Sequence, residues 1–514
     1  MFNNELWQKP AGGAGGGDFY SHQIAKSFRW DSGYLKRTPG SAGNRQTWTF
    51  SCWIKQSGTI TNSQGEMALL NAGTSGNQDT RFRMYYYEAK LRSSSAEANY
   101  NVSSGVYRDP SAWYHVVWKL TGGTSYQYVN GVEVSTSSVS GDVAINNNVE
   151  HVLGIYGGYE TATRFKGYMA EVVFIDGTAL DPTSFASEKN GVWIPDDVSG
   201  LTFGSQGYYL NFASASDPGN DVSGNNNDWT NVSLATHDHM KDSPTFNSSS
   251  NGGNFCTLNP VYRGEVTTDA KYGTLSEGNL KLSYASNNDA ALPGTIKTPA
   301  SGKWYFEYLI NAGGGSSGYS PGAGIIDVNE YTFNTSGYNA VGAVQYANNI
   351  NKVYKGSSVS GTYGGSRGSN GDVMGIAVDM DNGAFYVSKN GTFQAISGGS
   401  TGDPTSGASK TGAGATWTPA SEFTSGMVPL AAPNGGSVPI ITMNFGQDGT
   451  FSGEKTAGGN SDTNGYGNFF SSVPTGYSAV CTGNITTADA VDPAQTDDNY
   501  PQKLFSPLLY TGDG

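Results

Sequence analysis

The stretch DMDNGAFYVSKNG, residues 379–391, decides how the C-terminal half of the chain folds. Its acidic start is spaced like a calcium-binding loop. An EF-hand loop, however, needs an oxygen ligand at its fifth position and a glutamate at its twelfth, where this sequence has Gly383 and Asn390. Apolar residues alternate on both sides of the Asp-Asn-Gly turn: Ile376, Val378, Phe385 and Val387. The stretch therefore predicts a β-hairpin rather than a metal site.

The composition extends this prediction to the rest of the chain. Of the 514 residues, 72 are glycines, 12% are aromatic and only 14% are charged. Many glycines and aromatic residues with few charges are typical of short strands joined by tight turns, because glycine readily adopts the positive φ that such turns need. The length predicts two or three domains rather than one core.

Charge, sorting signals and cysteines restrict the environment. The net charge is −14, and a surface of that sign repels phosphate, so we expect no nucleic-acid partner. The sequence has no apolar run long enough to span a membrane. Its N-terminus lacks the basic and apolar segments of a secretory signal, which predicts folding in a cytoplasm. The distant cysteines, Cys52, Cys256 and Cys481, predict neither a metal knuckle nor a disulfide framework, and Cys52 is expected in a buried strand.

Alternating apolar residues predict an all-β fold of two antiparallel β-sandwich or jelly-roll domains joined by a polar connector. The clearest predicted strands span 47–55, 81–92, 113–120, 125–134, 150–157 and 167–176, and then 279–285, 303–311, 322–328, 372–391, 427–433 and 438–446. The predicted segments are an N-terminal arm (1–25), a first sandwich (26–200), the connector (201–265), a second sandwich (266–450) and a C-terminal segment (451–514).

Motifs in each half resemble known families. SGKWYFEY (301–308), the hairpin at 379–391 and ITMNFGQ (441–447) resemble the motifs of SPRY domains. In the first sandwich, YQYVNGVEV (126–134) and GYMAEVVFIDGTAL (167–180) are similar to LamG-type, concanavalin A-like jelly rolls. These resemblances imply β-sandwich modules in both halves.

The order of motifs along the chain carries a broader resemblance. From QIAKSFRWDSGYLKRTPGSAG (23–43) through GVWIPDD (191–197) and DVSGNNNDWTNVSL (221–234) to the SPRY-like half, the chain resembles virion proteins of tailed bacteriophages, marine ones especially. Longer relatives continue past the final LLYTGDG (508–514).

This resemblance implies a structural protein of the virion, made in the host cytoplasm. It would be a tail fibre or appendage, repeated as a homo-oligomer and held to other virion proteins by the arm and its Trp7. Its sandwiches would attach the particle to a host-surface polysaccharide. A capsid decoration protein without a receptor role and an exopolysaccharide depolymerase are the alternatives.

Enzymatic activity is not expected from the carboxylates. Glycoside hydrolysis needs two carboxyl groups on either side of the scissile bond. The nearest candidates, Glu171 and Asp176, are five residues apart, and an odd separation places them on opposite faces of a regular strand. The simpler interpretation is an outward-facing glutamate and a turn aspartate that bonds its own backbone.

Glycan binding is expected from tyrosines at strand and loop edges. Aromatic rings at jelly-roll rims stack on sugars, and the candidates are Tyr85, Tyr87, Tyr156 and Tyr159. Long glycine-rich loops at 310–322 and 353–371 could equally shape a binding surface or pack against neighbouring subunits.

Metal binding rests on two polar segments. The stretch SDPGNDVSGNNND (216–228) offers hard oxygen ligands for calcium, the one cofactor considered: Asp217, Asp221, Asn225, Asn227 and Asp228. A polar linker would have the same composition. His237 and His239, with Asp242 nearby, have a spacing that can hold a metal, although a solvated loop explains them as well.

Overall fold

The computed structural model describes residues 19–57, 66–74, 77–85, 90–95, 99–155, 164–189, 191–261, 273–284, 291–330, 342–435 and 439–485. The protein is nearly all-β, with 41% of residues in strands and 4% in helices, which confirms the predicted fold class. Three-residue 3₁₀ turns lie at Pro182–Ser184, Thr236–Asp238, Val328–Glu330, Gly407–Ser409 and Thr482–Asn484. In the ranges just given, no helix is long and apolar enough to cross a membrane.

The first sandwich uses strands from residue 27 to residue 240. They are β1 (Ser27–Trp30), β2 (Tyr34–Arg37), β3 (Trp48–Gln56), β4 (Glu66–Thr74), β5 (Asn77–Tyr85), β6 (Lys90–Ser95), β7 (Asn99–Val102), β8 (Trp113–Thr121), β9 (Thr124–Val129), β10 (Val132–Ser138), β11 (His151–Leu153), β12 (Gly167–Asp176), β13 (Ala186–Lys189), β14 (Val192–Pro195), β15 (Tyr208–Leu210), β16 (Thr230–Val232) and β17 (His239–Met240).

Two antiparallel sheets enclose the core of this sandwich. One has the order β10-β9-β8-β3-β12-β1-β17, with β15 also paired to β12, and the other has the order β16-β2-β11-β4-β5-β6-β7. Trp30, Trp48, Trp118 and Trp229 lie between them with many aliphatic side chains. Burial of this apolar surface is the main stabilising contribution. Cys52 is buried there as expected, and all three cysteines are free.

The outer face of the first sheet is covered as well. Phe185, Val198 and Phe203 pack on it against residues of β8, β12 and β15, and the β13–β14 hairpin lies beside them. The central strands β3 and β12 are consequently buried along their whole length. The alternation of apolar residues in β3 and β12 predicts one core face and one solvent face for each strand. It therefore does not predict that the second face is buried as well.

His115 of β8 is enclosed by this covering layer. Trp193 donates its Nε1–H to Nδ1 at 3.0 Å, and Nε2 lies 2.7 Å from Ser51 Oγ. The ring stacks on Trp53 with centroids 4.9 Å apart. Burial lowers the pKa of His115 to about 3, so the side chain is neutral in the folded protein at ordinary pH.

Substituting His115 with glutamine should therefore make the free energy of unfolding depend less on pH under acidic conditions. The unfolded histidine binds a proton near pH 6.5 and the folded one does not, so the free energy of unfolding falls as the pH drops below that value. We expect the pH slope of H115Q to be smaller by about 1.4 kcal/mol per unit below pH 6, measured by urea denaturation. H237Q, at a partly exposed histidine, is the control, and equal slopes in H115Q and wild type would refute the prediction.

The second sandwich begins at residue 274. Its strands are β18 (Thr274–Ser276), β19 (Lys281–Ser283), β20 (Leu292–Pro293), β21 (Lys303–Ala312), β22 (Ala323–Asp327), β23 (Ala343–Ala347), β24 (Lys352–Lys355), β25 (Ser358–Thr362), β26 (Val373–Asp379), β27 (Ala384–Lys389), β28 (Thr392–Phe393), β29 (Ala415–Thr416), β30 (Met427–Ala431), β31 (Ile440–Asn444) and β32 (Ser478–Ala479). One sheet has the order β18-β19-β31-β21-β26-β27-β28, with β29 on β27 and β32 on β21, and the other has the order β20-β30-β22-β23-β24-β25.

The stretch at 379–391 forms the predicted hairpin between β26 and β27. Asp379 accepts hydrogen bonds from the backbone N–H and the side-chain amide of Asn382, and its carboxylate lies 3.1 Å from Lys303 Nζ. Gly383 has a φ of 73°, and a Cβ there would lie 2.3 Å from the carbonyl oxygen of Trp417. The acidic side chain therefore shapes the turn and pairs with a neighbouring strand.

The C-terminal segment covers the outer face of the larger second-sandwich sheet. Phe469, Tyr477 and Ala479 pack against Tyr305 and Tyr386. Glu307 on β21 is buried at this contact, and its carboxylate accepts the backbone N–H groups of Phe470 at 2.9 Å and Ser471 at 2.8 Å. Residues up to 485 are thus integral to the second sandwich.

The predicted connector is more than a link between domains. It supplies β15 and β17 to one sheet of the first sandwich and β16 to the other. Farther along, Cys256 donates its backbone N–H to the carbonyl of Val480, and Phe255 bridges to Cys481. The segment from 201 to 261 therefore belongs partly to the first sandwich and partly to the second.

Buried charges join the two sandwiches. Arg29 of β1 is fully buried, and its guanidinium lies 2.9 Å from Asp238, 3.0 Å from Glu277 and 3.3 Å from Asp448. Tyr168 donates its hydroxyl to the carbonyl of Gly278 at 2.7 Å. Because Glu277, Gly278 and Asp448 lie in the second half of the chain, these contacts fix one sandwich against the other.

Candidate functional site

The four tyrosines predicted to bind glycans fall outside what the structure describes. Tyr85 ends β5, but its side chain is among the undescribed parts. Tyr87, Tyr156 and Tyr159 lie outside the described residues altogether. The prediction that they bind a glycan stays a prediction.

A different pair of tyrosines lies on the outer face of the first sheet. Tyr126 and Tyr128 alternate along β9, so both side chains point to the same face. Their rings are nearly parallel, with an interplanar angle of 20° and centroids 6.5 Å apart. Lys119 is directly opposite Tyr126 on β8. We call Lys119, Tyr126, Tyr128 and Asp181 the tyrosine patch.

Lys119 connects the members of the tyrosine patch. Its Nζ lies 4.9 Å from the ring centroid of Tyr126 and 5.3 Å from that of Tyr128, within cation–π range. The same nitrogen lies 2.6 Å from Oδ1 of Asp181, whose side chain is 70% exposed. The cation thus holds two aromatic rings and one solvent-facing carboxylate in a fixed relation.

The neighbours of Lys119 and Tyr128 shift the pKa values of both side chains upward. Desolvation favours the neutral amine of Lys119, but hydrogen bonds to Asp181 and Tyr128 outweigh it and raise the pKa of Lys119. Burial raises the pKa of Tyr128 despite its contact with Lys119. The patch therefore presents an ammonium, a carboxylate and phenolic hydroxyls.

The tyrosine patch reaches solvent at Tyr126 and Asp181, because Tyr128 and Lys119 are each only 9% exposed. Tyr126 is half-buried, and the facing strand β10 places exposed Thr136 opposite it and exposed Glu133 opposite Tyr128. A ring flanked by hydroxyl, carboxylate and ammonium groups can stack on the apolar face of a sugar and hydrogen-bond its hydroxyls.

A cavity inside the first sandwich is too small for a sugar. It lies between the sheets of the first sandwich near Trp48, Trp118, Ser94, Asn101 and Ser125, with a volume of about 10 Å³. That volume is close to what a single water molecule needs. Trp48 Nε1, buried beside it, has no hydrogen-bond partner within the described ranges. The cavity fits one bound water.

The proposed calcium loop is held together by its own hydrogen bonds. Asp221 accepts backbone N–H groups from Tyr209, Ser223 and Asn227 and the hydroxyl of Ser223. Asp228 accepts the N–H of Asp221 at 2.8 Å.

The side-chain amides of two asparagines in the same loop act as hydrogen-bond donors through their NH₂ groups. Asn225 and Asn227 both direct their NH₂ groups at the carbonyl of Gly207, and Asp217 only accepts, through its backbone carbonyl, the N–H of Asn220. In the described ranges no group of three or more His, Cys, Asp or Glu side chains is arranged to hold a metal. The oxygens of Asp221 and Asp228 are therefore engaged within the loop, and the prediction of calcium binding stays a prediction.

Glu171 is not the outward-facing residue expected from the sequence. A bulge between Ala170 and Val173 interrupts the pairing of β12 with β3, and Glu171 takes a φ of 49° there. Its side chain is 4% exposed and bonds Tyr209 at 2.8 Å and His22 at 2.7 Å. The expectation was wrong because the arm and β15 cover this part of the sheet.

Asp176 bonds other elements rather than its own turn. Its carboxylate accepts the backbone N–H groups of Asn44 and Gln206, the amide of Asn146 and the hydroxyl of Ser205. Its partners are entirely different from those of Glu171. The two carboxylates are thus committed to separate structural networks.

The histidine pair of the connector does not converge. His239 Nε2 lies 2.8 Å from the carbonyl of Phe212, whereas the ring of His237 lies beside Gly453. Asp238 pairs with Arg29, and Asp242 pairs with Lys55 at 2.8 Å. The segment is packed rather than a solvated loop, and the three side chains point to different partners.

The sequence contained a signal for the tyrosine patch. The alternation Tyr126-Gln127-Tyr128 just before the Asn130-Gly131 turn fixes both rings on one face of a hairpin strand. Nothing local indicates Lys119 or Asp181 as neighbours, because they come from β8 and from the covering segment. Only the sheet pairing brings the patch together.

Comparisons with known proteins agree with the fold of the first half. The profile of the concanavalin A-like lectin/glucanases superfamily, under its laminin G type, matches residues 31–184. A comparison with curated proteins finds no match. Residues 31–184, within the first sandwich, are therefore similar to the concanavalin A-like fold.

Several solved structures resemble part of this chain at low identity. A SAP-like pentraxin from Limulus polyphemus is 19% identical, covering 31% of this chain and 80% of its own, with a TM-score of 0.25. A putative carbohydrate-binding protein from Bacteroides ovatus is 17% identical, covering 41% of this chain and 61% of its own, with a TM-score of 0.31. A human SPRY domain is 18% identical, covering 32% of this chain and 90% of its own, with a TM-score of 0.23.

Proposed function

We propose that this protein is an adhesive structural subunit of a tailed-phage virion, a tail fibre or appendage, that binds host-surface polysaccharide through the tyrosine patch. The observation that carries the glycan-binding part is the pair of parallel rings of Tyr126 and Tyr128 beside Lys119 and Asp181 on a concanavalin A-like domain. The virion part rests on the order of motifs along the chain.

The chemistry of the tyrosine patch suits a sugar. A saccharide ring has apolar C–H faces that stack on aromatic rings and hydroxyls that bond charged groups. Because Lys119 and Asp181 already pair at 2.6 Å, little side-chain entropy is lost when a ligand binds. The patch is shallow, so one copy binds weakly, and repetition in a homo-oligomer supplies avidity.

The buried contacts between the two sandwiches support a mechanical role for the protein. Arg29 and its carboxylate partners are buried between the two halves, so the described part of the chain resists bending at that point. A rigid pair of modules keeps a glycan-binding face at a constant angle to the particle, as an attachment protein requires.

Removing the aromatic ring of Tyr126 tests the proposal. We expect Y126A to lose about 5- to 150-fold in affinity for polysaccharide purified from the host envelope, taking the about 1–3 kcal/mol that stacking of a nucleobase on an aromatic ring contributes as the scale. The measurement is titration calorimetry or surface binding on immobilised polysaccharide. Thermal unfolding confirms that the variant is folded.

Tyr319, half-buried on a glycine-rich loop of the second sandwich, provides the matched control. Y319A should bind like the wild type. Loss of binding in Y319A but not in Y126A would move the glycan site to the second sandwich, and equal affinity of all three proteins would reject the tyrosine patch.

Other assays separate the alternatives. New reducing ends on incubation with host exopolysaccharide would identify a depolymerase. Labelled antibodies that bind capsid seams rather than tails, together with no glycan binding, would identify a decoration protein. Tail labelling with glycan binding is the expected result.

A further inference from the structure

At the junction of the sandwiches, the buried amine of Lys55 contacts the side-chain amide of Asn254 and the carboxyl group of Asp242. Lys55, at the end of β3, is fully buried. Its Nζ lies 2.7 Å from Oδ1 of Asn254 and 2.8 Å from Oδ2 of Asp242. It also donates to the carbonyl of Phe255 at 2.8 Å. Three acceptors therefore hold the amine in one position.

The neighbouring groups orient each member of this trio. Asn254 donates its Nδ2 to the carbonyl of Ser111 at 2.5 Å, which turns its carbonyl side toward Lys55. Trp113 donates its indole N–H to Asp242 Oδ1 at 3.0 Å. Lys55 Nζ also lies 5.5 Å from the ring centroid of Tyr168. Aromatic walls thus shield the amine and the acid from water.

An amine and an amide held this way can react with each other. When two reacting groups are already held in contact, their reaction avoids a large part of the entropic cost of bringing them together. The amine must first lose a proton, and an adjacent carboxylate within hydrogen-bond distance can take it. Burial raises the pKa of Asp242, which favours the protonated acid in this position.

We propose that Lys55 and Asn254 form an intramolecular isopeptide bond, with Asp242 as the proton carrier. Asp242 takes one proton from the Lys55 ammonium, and the neutral amine forms a bond from Nζ to Cγ of Asn254. The bond from Cγ to Nδ2 then breaks. Nδ2 leaves as ammonia with a second proton from Nζ, and Asp242 keeps the first. No oxidant or cofactor is needed.

The bond would join the two sandwiches covalently. Lys55 lies on β3 of the first sandwich, whereas Asn254 exchanges hydrogen bonds with Thr482 in the C-terminal segment. The two residues are 199 positions apart in the chain. Such a link closes a long loop and restricts the unfolded chain as a disulfide does, in a protein whose cysteines are free.

An unreacted ion pair is the competing arrangement, and the two differ in mass. The intact mass of the full-length protein under denaturing conditions should be lower than the sequence mass by one ammonia. Digestion should release a branched peptide that joins the segments containing Lys55 and Asn254. A full sequence mass and two unlinked peptides in the purified wild-type protein would overturn the proposal, whatever the variants do.

Variants test the roles of the three residues. D242N keeps the amine and the amide but lacks the proton carrier, so its mass should equal its sequence mass. N254A should also lack the link. K119M, which removes a lysine that pairs with Asp181 but contacts no amide, should retain the ammonia loss. A linked D242N protein would reject Asp242 as the carrier, and if D242N does not fold, the folded K119M and wild-type proteins still decide whether the bond exists.

Discussion

Replacing Arg29 with methionine should reduce the free energy of unfolding by about 3–5 kcal/mol, the effect of removing one partner from a buried charge cluster. The guanidinium is the only arginine or lysine group within ion-pair distance of Asp238 and Asp448 among the described residues, although His237 Nε2 lies 3.9 Å from Asp238. Both carboxylates are 3% exposed. Without the guanidinium, these two carboxylates and Glu277 lose their shared cation at the junction. Urea denaturation followed by tryptophan fluorescence measures the loss.

Two controls distinguish charge burial from the loss of a side chain. Arg45 pairs with the half-exposed Asp142, and R45M should cost less than about 1 kcal/mol, as exposed pairs do. The quadruple variant R29M/D238N/E277Q/D448N removes all four charges of the cluster and should recover much of the stability. An R29M protein as stable as R45M would show that the cluster does not hold the sandwiches together.

Replacing Glu307 with alanine should release the C-terminal segment from the second sandwich. The carboxylate accepts the N–H groups of Phe470 and Ser471 and the hydroxyl of Tyr305. Each buried donor left unpaired costs about 1–3 kcal/mol, so we expect a loss of about 3 kcal/mol or more. Hydrogen exchange should rise at residues 466–480 well before it rises in the first sandwich.

Glu454, in the same segment, gives the matched comparison. It pairs with Lys281 at 3.0 Å, and its side chain is 44% exposed. E454A should leave hydrogen exchange of residues 466–480 at the wild-type rate. Uniform faster exchange over the whole chain in E307A, rather than in this segment, would show that Glu307 does not act locally.

The strands with strong alternation could be predicted from the sequence. The predicted strand 113–120 is β8 (Trp113–Thr121), and 303–311 is β21 (Lys303–Ala312). The predicted strand 81–92 is in fact parts of two strands: β5 ends at Tyr85 and β6 begins at Lys90. The hairpin at 379–391 was predictable because glycine and asparagine mark its turns.

The parts formed by distant contacts could not be predicted. The connector strands β15, β16 and β17 have three residues or fewer, too short for a periodic pattern. The burial of Glu171 depends on His22, 149 positions away in the chain. Of the tyrosine patch, only the Tyr126 and Tyr128 pair is visible locally, and the four tyrosines singled out from the sequence remain untested.

The partners of Arg29 also determine the order in which the protein can mature on the ribosome. Asp448 follows Arg29 by 419 positions, which at about 5–20 residues per second separates their synthesis by roughly 20–80 seconds. During that interval the emerging first sandwich carries a guanidinium whose Asp448 partner has not been made. The contact between Arg29 and Asp448 can therefore form only after the C-terminal half has been synthesised. A chain truncated before Asp448 would leave the surface around Arg29 uncovered and open to proteolysis.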